Sequence, residues 1–77
     1  MASTIEVLGN VYFEMEDFHQ AKSFYEKALV IKKSKLGENH VEVALTLNNI
    51  GNACKHLEEF DKSQKFFADA LVILKQS

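Results

Sequence analysis

Sliding the chain along itself by 42 positions pairs residues 1–35 with 43–77 without a gap, and 12 of the 35 pairs are identical. Chance matching would give roughly two, so the chain is two copies of one unit and its fold must be built from that unit twice. The identities include Thr4/Thr46, Gly9/Gly51, Asn10/Asn52, Glu16/Glu58, Phe18/Phe60 and Phe24/Phe66. They are densest where "ALVIKK" at Ala28–Lys33 meets "ALVILK" at Ala70–Lys75.

Each unit reads as two helices. Long windows are rich in Ala, Leu, Glu, Lys and Gln, and the chain holds no proline, so helix is favoured throughout. The spacing predicts helices near 4–15, 18–34, 40–56 and 60–75. Repeat one then spans approximately 2–36 and repeat two 40–77, joined by a loop at 36–39, all within one domain over 1–77. Ser3 with Glu6, Asp17 with Gln20 and Asn39 with Glu42 have the spacing of capping pairs. "EMED" forms the first turn, and Gly37 breaks the second helix. The first helix carries Ile5, Leu8, Tyr12 and Met15 at helical spacing. The second carries Phe18, Ala21, Phe24, Tyr25, Ala28, Leu29 and Ile31 over about 160° of its circumference, which fits a helix wedged between two others. Lys32, Lys33 and Lys35 crowd its end, where they oppose the helix dipole. A glycine inside a helix costs about 1 kcal/mol relative to alanine. Gly9 and Gly51 therefore predict a close crossing with an aromatic or leucine of the following helix, and the small Ala28 and Ala70 suit the same hairpins.

Composition narrows the function. A net charge of −2 argues against nucleic acid, which calls for a basic face. No stretch approaches the roughly 18 to 20 apolar residues of a membrane span. The N-terminus lacks the basic and apolar segments of a signal peptide. The single cysteine, Cys54, cannot form an internal disulfide, so the expected compartment is the reducing cytoplasm. The groups able to do chemistry are His19, His40, His56 and Cys54. Cys54 and His56, two apart on a helix, point to different faces. Cys54 lies on the apolar stripe and reads as a buried structural thiol. His40 stands at a helix start, where capping or packing explains it. No histidine pair has metal-ligand spacing and no glycine-rich phosphate loop occurs. The chain does not read as an enzyme, and it calls for no cofactor or metal.

The pattern Leu8-Gly9, Tyr12, Ala21, Tyr25 and Ala28, answered by Ile50-Gly51, Phe67 and Ala70, resembles the tetratricopeptide repeat over essentially the whole chain. The 42-residue period and "LGENHVEVALTLNNIGN" resemble the longer repeats of kinesin light chains and their relatives. The sequence departs from that pattern at Cys54 (usually aromatic), at Ser63 (usually alanine), and at Val41, Lys33 and Lys75 (usually proline). The resemblance implies an all-α fold of two tandem helix-turn-helix hairpins, a short right-handed α-solenoid segment, in which the first helix of each repeat lines a concave groove. In repeat two the groove face would carry Leu45, Asn48, Asn49, Asn52 and His56, with Lys55 at its edge. Asparagine is a poor helix former, and its amide both donates and accepts, which suits the backbone of an extended peptide. The resemblance gives that role to Asn49 and Asn52, while a solvated polar face is the plainer reading. In repeat one the face would carry Ser3, Glu6, Val7, Asn10, Phe13 and Glu14. Phe13 leaves two readings open, as a receptor for an apolar ligand side chain or as a packing contact with a neighbouring chain. Relatives that grip chaperone C-termini use several groove Lys and Arg residues, and here only Lys55 is available.

Two functions follow. One is a module that binds an extended peptide or partner protein, as a piece of a longer array. The other is a self-association module. A solenoid repeat relies on its neighbours to cover its core, and Phe67, Leu71 and Leu74 lie on the side of the last helix where a next unit would dock. Leu74 stands where repeat one has Lys32. A second copy could cover that side by end-to-end docking or by exchange of a hairpin, and a closed two-fold dimer is the expected assembly, because end-to-start docking propagates.

Overall fold

The computed structural model describes the backbone of residues 2–76 and the side chains of residues 4–76. Four helices follow in order, α1 (Ala2–Glu14), α2 (Phe18–Leu36), α3 (Val41–His56) and α4 (Phe60–Gln76), and no strand occurs among the described residues. The side chain of Ser3, expected to cap α1, lies outside them. At α2 the Asp17 carboxylate accepts from the Gln20 N–H at 3.4 Å, as its spacing implies. At α3 the capping residue is His40, not Asn39. The helix begins at Val41, so His40 takes the N-cap position in extended geometry and its Nδ1 accepts from the Glu42 N–H at 3.1 Å. Asn39 is one residue too early to reach.

The hairpin turns are built identically. Glu16 and Glu58, paired by the repeat, both take the left-handed region at φ 63° and 64°. The following N–H then reaches back over the helix end, Asp17 to the Tyr12 carbonyl and Glu59 to the Cys54 carbonyl, both at 2.9 Å. Such a reversal usually employs glycine. Glycine does occupy the link between the repeats, where Gly37 has φ 89° and donates to the Lys33 carbonyl.

Packing is sequential, α1 on α2, α2 on α3 and α3 on α4. The result is a slab of 32 × 28 × 14 Å, barely thicker than one helix with its side chains. The two middle helices hold the core. Ala21, Tyr25 and Leu29 of α2 meet Val43, Leu47, Ile50 and Cys54 of α3, which in turn meet Ala70 and Ile73 of α4.

The two interior glycines mark the hairpin crossings. A Cβ on Gly9 would stand 2.7 Å from Tyr25 Cε1, and one on Gly51 would stand 2.7 Å from Phe67 Cε1. The aromatic expected across each glycine is therefore the ring at the same place in each repeat. Ser63, in the position of Ala21, is buried with its hydroxyl donating to the Gly51 carbonyl at 2.9 Å. That bond explains how a polar residue is accommodated at a contact where alanine is usual.

Candidate functional site

The faces of α1 and α3 expected to line a groove are not equivalent once side chains are in place. On α1, Glu6 is engaged inside the protein. Its Oε1 accepts from Lys32 Nζ and its Oε2 from Thr46 Oγ1, both at 2.8 Å. One carboxylate thus ties α1 to α2 and α3. Lys32 is only 8% exposed. It is buried where Lys33 and Lys35, its companions at the end of α2, are exposed. Its stem runs into the junction between the repeats, and Glu42 stands 3.9 Å from its ammonium. The sequence signal was the Lys32/Leu74 difference, where an apolar residue in the second copy marks a position facing the interior.

Asn10 is likewise engaged. The Tyr25 hydroxyl donates to its Oδ1 at 2.5 Å, and burial pushes the Tyr25 pKa up. Phe13 is half-buried in a three-ring cluster. It meets Phe18 edge-on at 5.1 Å and His56 edge-on at 5.2 Å, while His56 stacks on Phe18 at 4.3 Å with the planes 5° apart. Phe13 thus packs within its own chain, and His56, though exposed, has its ring laid over Phe18.

On α3 the pattern changes. Asn52 occupies the position of Asn10, but the residue across from it is Phe67 in place of Tyr25, with no hydroxyl to donate. Asn52 is exposed, and Asn48 and Asn49 are half-buried. Among the described residues no hydrogen-bond partner meets the side-chain amides of these three asparagines. Lys55 is exposed one residue from the ring cluster, and Leu45 is 51% exposed a turn earlier. Phe67 packs on Gly51, and Leu71 and Leu74 on the same helix are 53% and 39% exposed.

Sequence reasoning missed a cleft on the other side of the slab. A cavity of about 390 Å³ opens between α2 and α4, floored by Leu29, Leu47 and Phe66 and rimmed by four lysines together with Glu26 and Asp69. Lys22 is held at one end by Glu59 at 2.8 Å. That hydrogen bond raises the lysine pKa and lowers the carboxylate's. Beneath it Cys54 is fully buried, and burial raises its thiol pKa, which suits the structural role read from its place on the apolar stripe. Among the described residues no three His, Cys, Asp or Glu side chains gather as metal ligands, and no helix is long and apolar enough to cross a membrane.

Two like hairpins stacked through a shared core define a helical-repeat protein. A family model of the tetratricopeptide repeat matches residues 1–76. The chain therefore belongs to the tetratricopeptide repeat family, and it is a protein–protein interaction module of α-solenoid type. The comparison with curated proteins gives no match.

Proposed function

We propose that the chain binds an extended peptide or partner segment along the outer face of α3, in the manner of the 42-residue, kinesin-light-chain-like repeats, and carries out no catalysis. Asn49 and Asn52 make the hydrogen bonds to the ligand backbone, with Lys55 and the rim of His56 at one end and Leu45 at the other. The observation that carries this reading is the contrast between the two asparagines related by the repeat. Asn10 accepts from Tyr25 at 2.5 Å, whereas Asn52 faces Phe67 and keeps its donors and acceptor for an external partner. Glu6 and Phe13 act as support for the face, because their side chains are engaged internally, and Asn10 joins them through its Oδ1 alone, its amide N–H groups meeting no partner among the described residues. The net charge of −2 favours a protein ligand over a nucleic acid, and the lone buried thiol suits a cytoplasmic location.

Peptides recovered by panning a random extended-peptide library on the immobilised chain provide the probe. Asn49→Ala and Asn52→Ala should each weaken those peptides roughly 5- to 150-fold, corresponding to a lost hydrogen bond of about 1 to 3 kcal/mol, with helicity unchanged by circular dichroism. Equal affinity in both variants would reduce the asparagines to solvated surface.

A second reading, self-association, is favoured by the outer faces of the slab. Leu8 and Val11 on α1 are 41% and 46% exposed, and Phe60 and Leu71 on α4 are 56% and 53% exposed. Apolar surface of this kind at both ends seeks cover.

A further inference from the structure

We infer that two copies of this chain dock head to tail, with α1 of one copy seated on α4 of the other in the geometry that α3 adopts on α2 within the chain. The inference rests on the self-association reading and supplies its register. It follows from applying the 42-residue repeat to the junction the chain already contains.

The residues buried at that junction have exposed counterparts at the two ends. On the α2 side, Leu29 is 8% exposed and its counterpart Leu71 on α4 is 53% exposed. Phe18, half-buried under His56, corresponds to Phe60, which is 56% exposed. On the α3 side, Ile50 and Ala53 are both fully buried, and their counterparts Leu8 and Val11 on α1 are 41% and 46% exposed. Half-buried Leu57 corresponds to Met15, which is 66% exposed. One end of the slab thus carries the apolar pattern that receives a helix, and the other carries the pattern that is received.

The polar part of the junction also transfers. Inside the chain, Lys32, Glu6 and Thr46 form one linked group, with both bonds to the carboxylate at 2.8 Å. The same three places at the contact between copies would hold Leu74, Asn48 and Thr4 of the second copy. The threonine is retained, the carboxylate becomes an amide whose oxygen can accept from the Thr4 hydroxyl, and the lysine becomes leucine. Charge is removed from both partners together, so docking buries no unpaired ion. At the rim the match is poorer, because Glu14 stands in the place of His56 and Phe60 has no ring to stack on. The register assigns Asn48 to the junction and leaves Asn49 and Asn52 on the open face. A two-fold pairing of α4 with α4 would instead set Leu71 against its own copy, a contact with no precedent in the fold.

Two blocked variants test this. Leu8→Glu blocks the α1 face and Leu71→Glu blocks the α4 face, both at exposed positions where helicity should survive. Light scattering over a hundredfold dilution should show the wild type growing beyond the dimer with concentration, because head-to-tail docking does not close. Each blocked variant alone should be a monomer, and their equimolar mixture should form a single heterodimer. Asn48→Glu should weaken association at least about tenfold, by burying an unpaired carboxylate, and Asn48→Glu with Leu74→Lys should restore it to within about threefold by rebuilding the ion pair with Thr4. If Leu8→Glu alone still dimerises and the mixture adds nothing, self-association stands but the register is overturned. A wild type that stays monomeric at every concentration overturns the register and the self-association reading together.

Discussion

Replacing Lys32 by Leu should unfold the junction between the repeats far more readily than its place among the lysines at the end of α2 suggests, and a second substitution should repair it. Lys32 and Glu6 stand 2.8 Å apart with side chains 10% and 19% exposed. At an effective dielectric constant near 20 the gross attraction is about 6 kcal/mol, much of which is offset by the desolvation of both ions. Removing one partner leaves the other's desolvation uncompensated. Lys32→Leu leaves the Glu6 carboxylate with only the Thr46 hydroxyl, at a cost of about 2 to 4 kcal/mol. Glu6→Asn is milder, about 1 to 2 kcal/mol, because Glu42 lies 3.9 Å from the ammonium. The double variant reproduces the neutral Leu74 and Asn48 of repeat two, and should cost no more than about 1 kcal/mol, a coupling of at least about 2 kcal/mol between the sites. In a chain of this size each kcal/mol moves the melting temperature by about 4 to 8 °C. Thermal melts followed by circular dichroism, at one fixed protein concentration because association would shift them, provide the four corners of the cycle. A double variant destabilised by the sum of the singles would show that the pair is an ordinary surface contact and that the junction does not depend on it.

Gly9→Ala and Gly51→Ala should both destabilise, since a Cβ 2.7 Å from a ring atom introduces overpacking of about 1 to 3 kcal/mol that exceeds the roughly 1 kcal/mol gained in helix propensity. Gly9→Ala should be the worse of the two in urea titration, because Tyr25 is 2% exposed and tethered through Asn10 whereas Phe67 is half-buried and untethered; equal effects would mean that the hydroxyl does not hold its ring. The Lys22–Glu59 bond should make a pH-dependent contribution. Glu59 is depressed from its ordinary 4.5, so its share is present above that value and lost as pH falls through the lowered one. Lys22 is raised from 10.5, so its share is present below that value and lost as pH rises through the raised one. Lys22→Met should flatten both flanks of the stability–pH curve, and an unchanged profile would refute the linkage.

The repeat, the all-helical class, the four helices and the glycine crossings were legible in the sequence, because each depends on residue type at a fixed spacing along one chain. Helical periodicity and a 42-residue identity pattern need no partner to be recognised. Of the caps, Asp17 serves α2 as its spacing implied, whereas at α3 a one-residue shift in the helix start gave the role to His40 in place of Asn39. The status of the polar residues was decided by the tertiary structure. Glu6, Asn10 and Asn52 look alike on a helical wheel, as exposed polar positions on the first helix of a repeat. Glu6 is held because Lys32 and Thr46, 26 and 40 residues away, converge on its carboxylate. Asn10 is held because Tyr25 carries a hydroxyl, and Asn52 is left available because Phe67 does not. Periodicity reports which way a side chain leaves its own helix. Whether its hydrogen-bonding groups are already satisfied depends on what the neighbouring helices bring to meet it, and on that the proposed site rests.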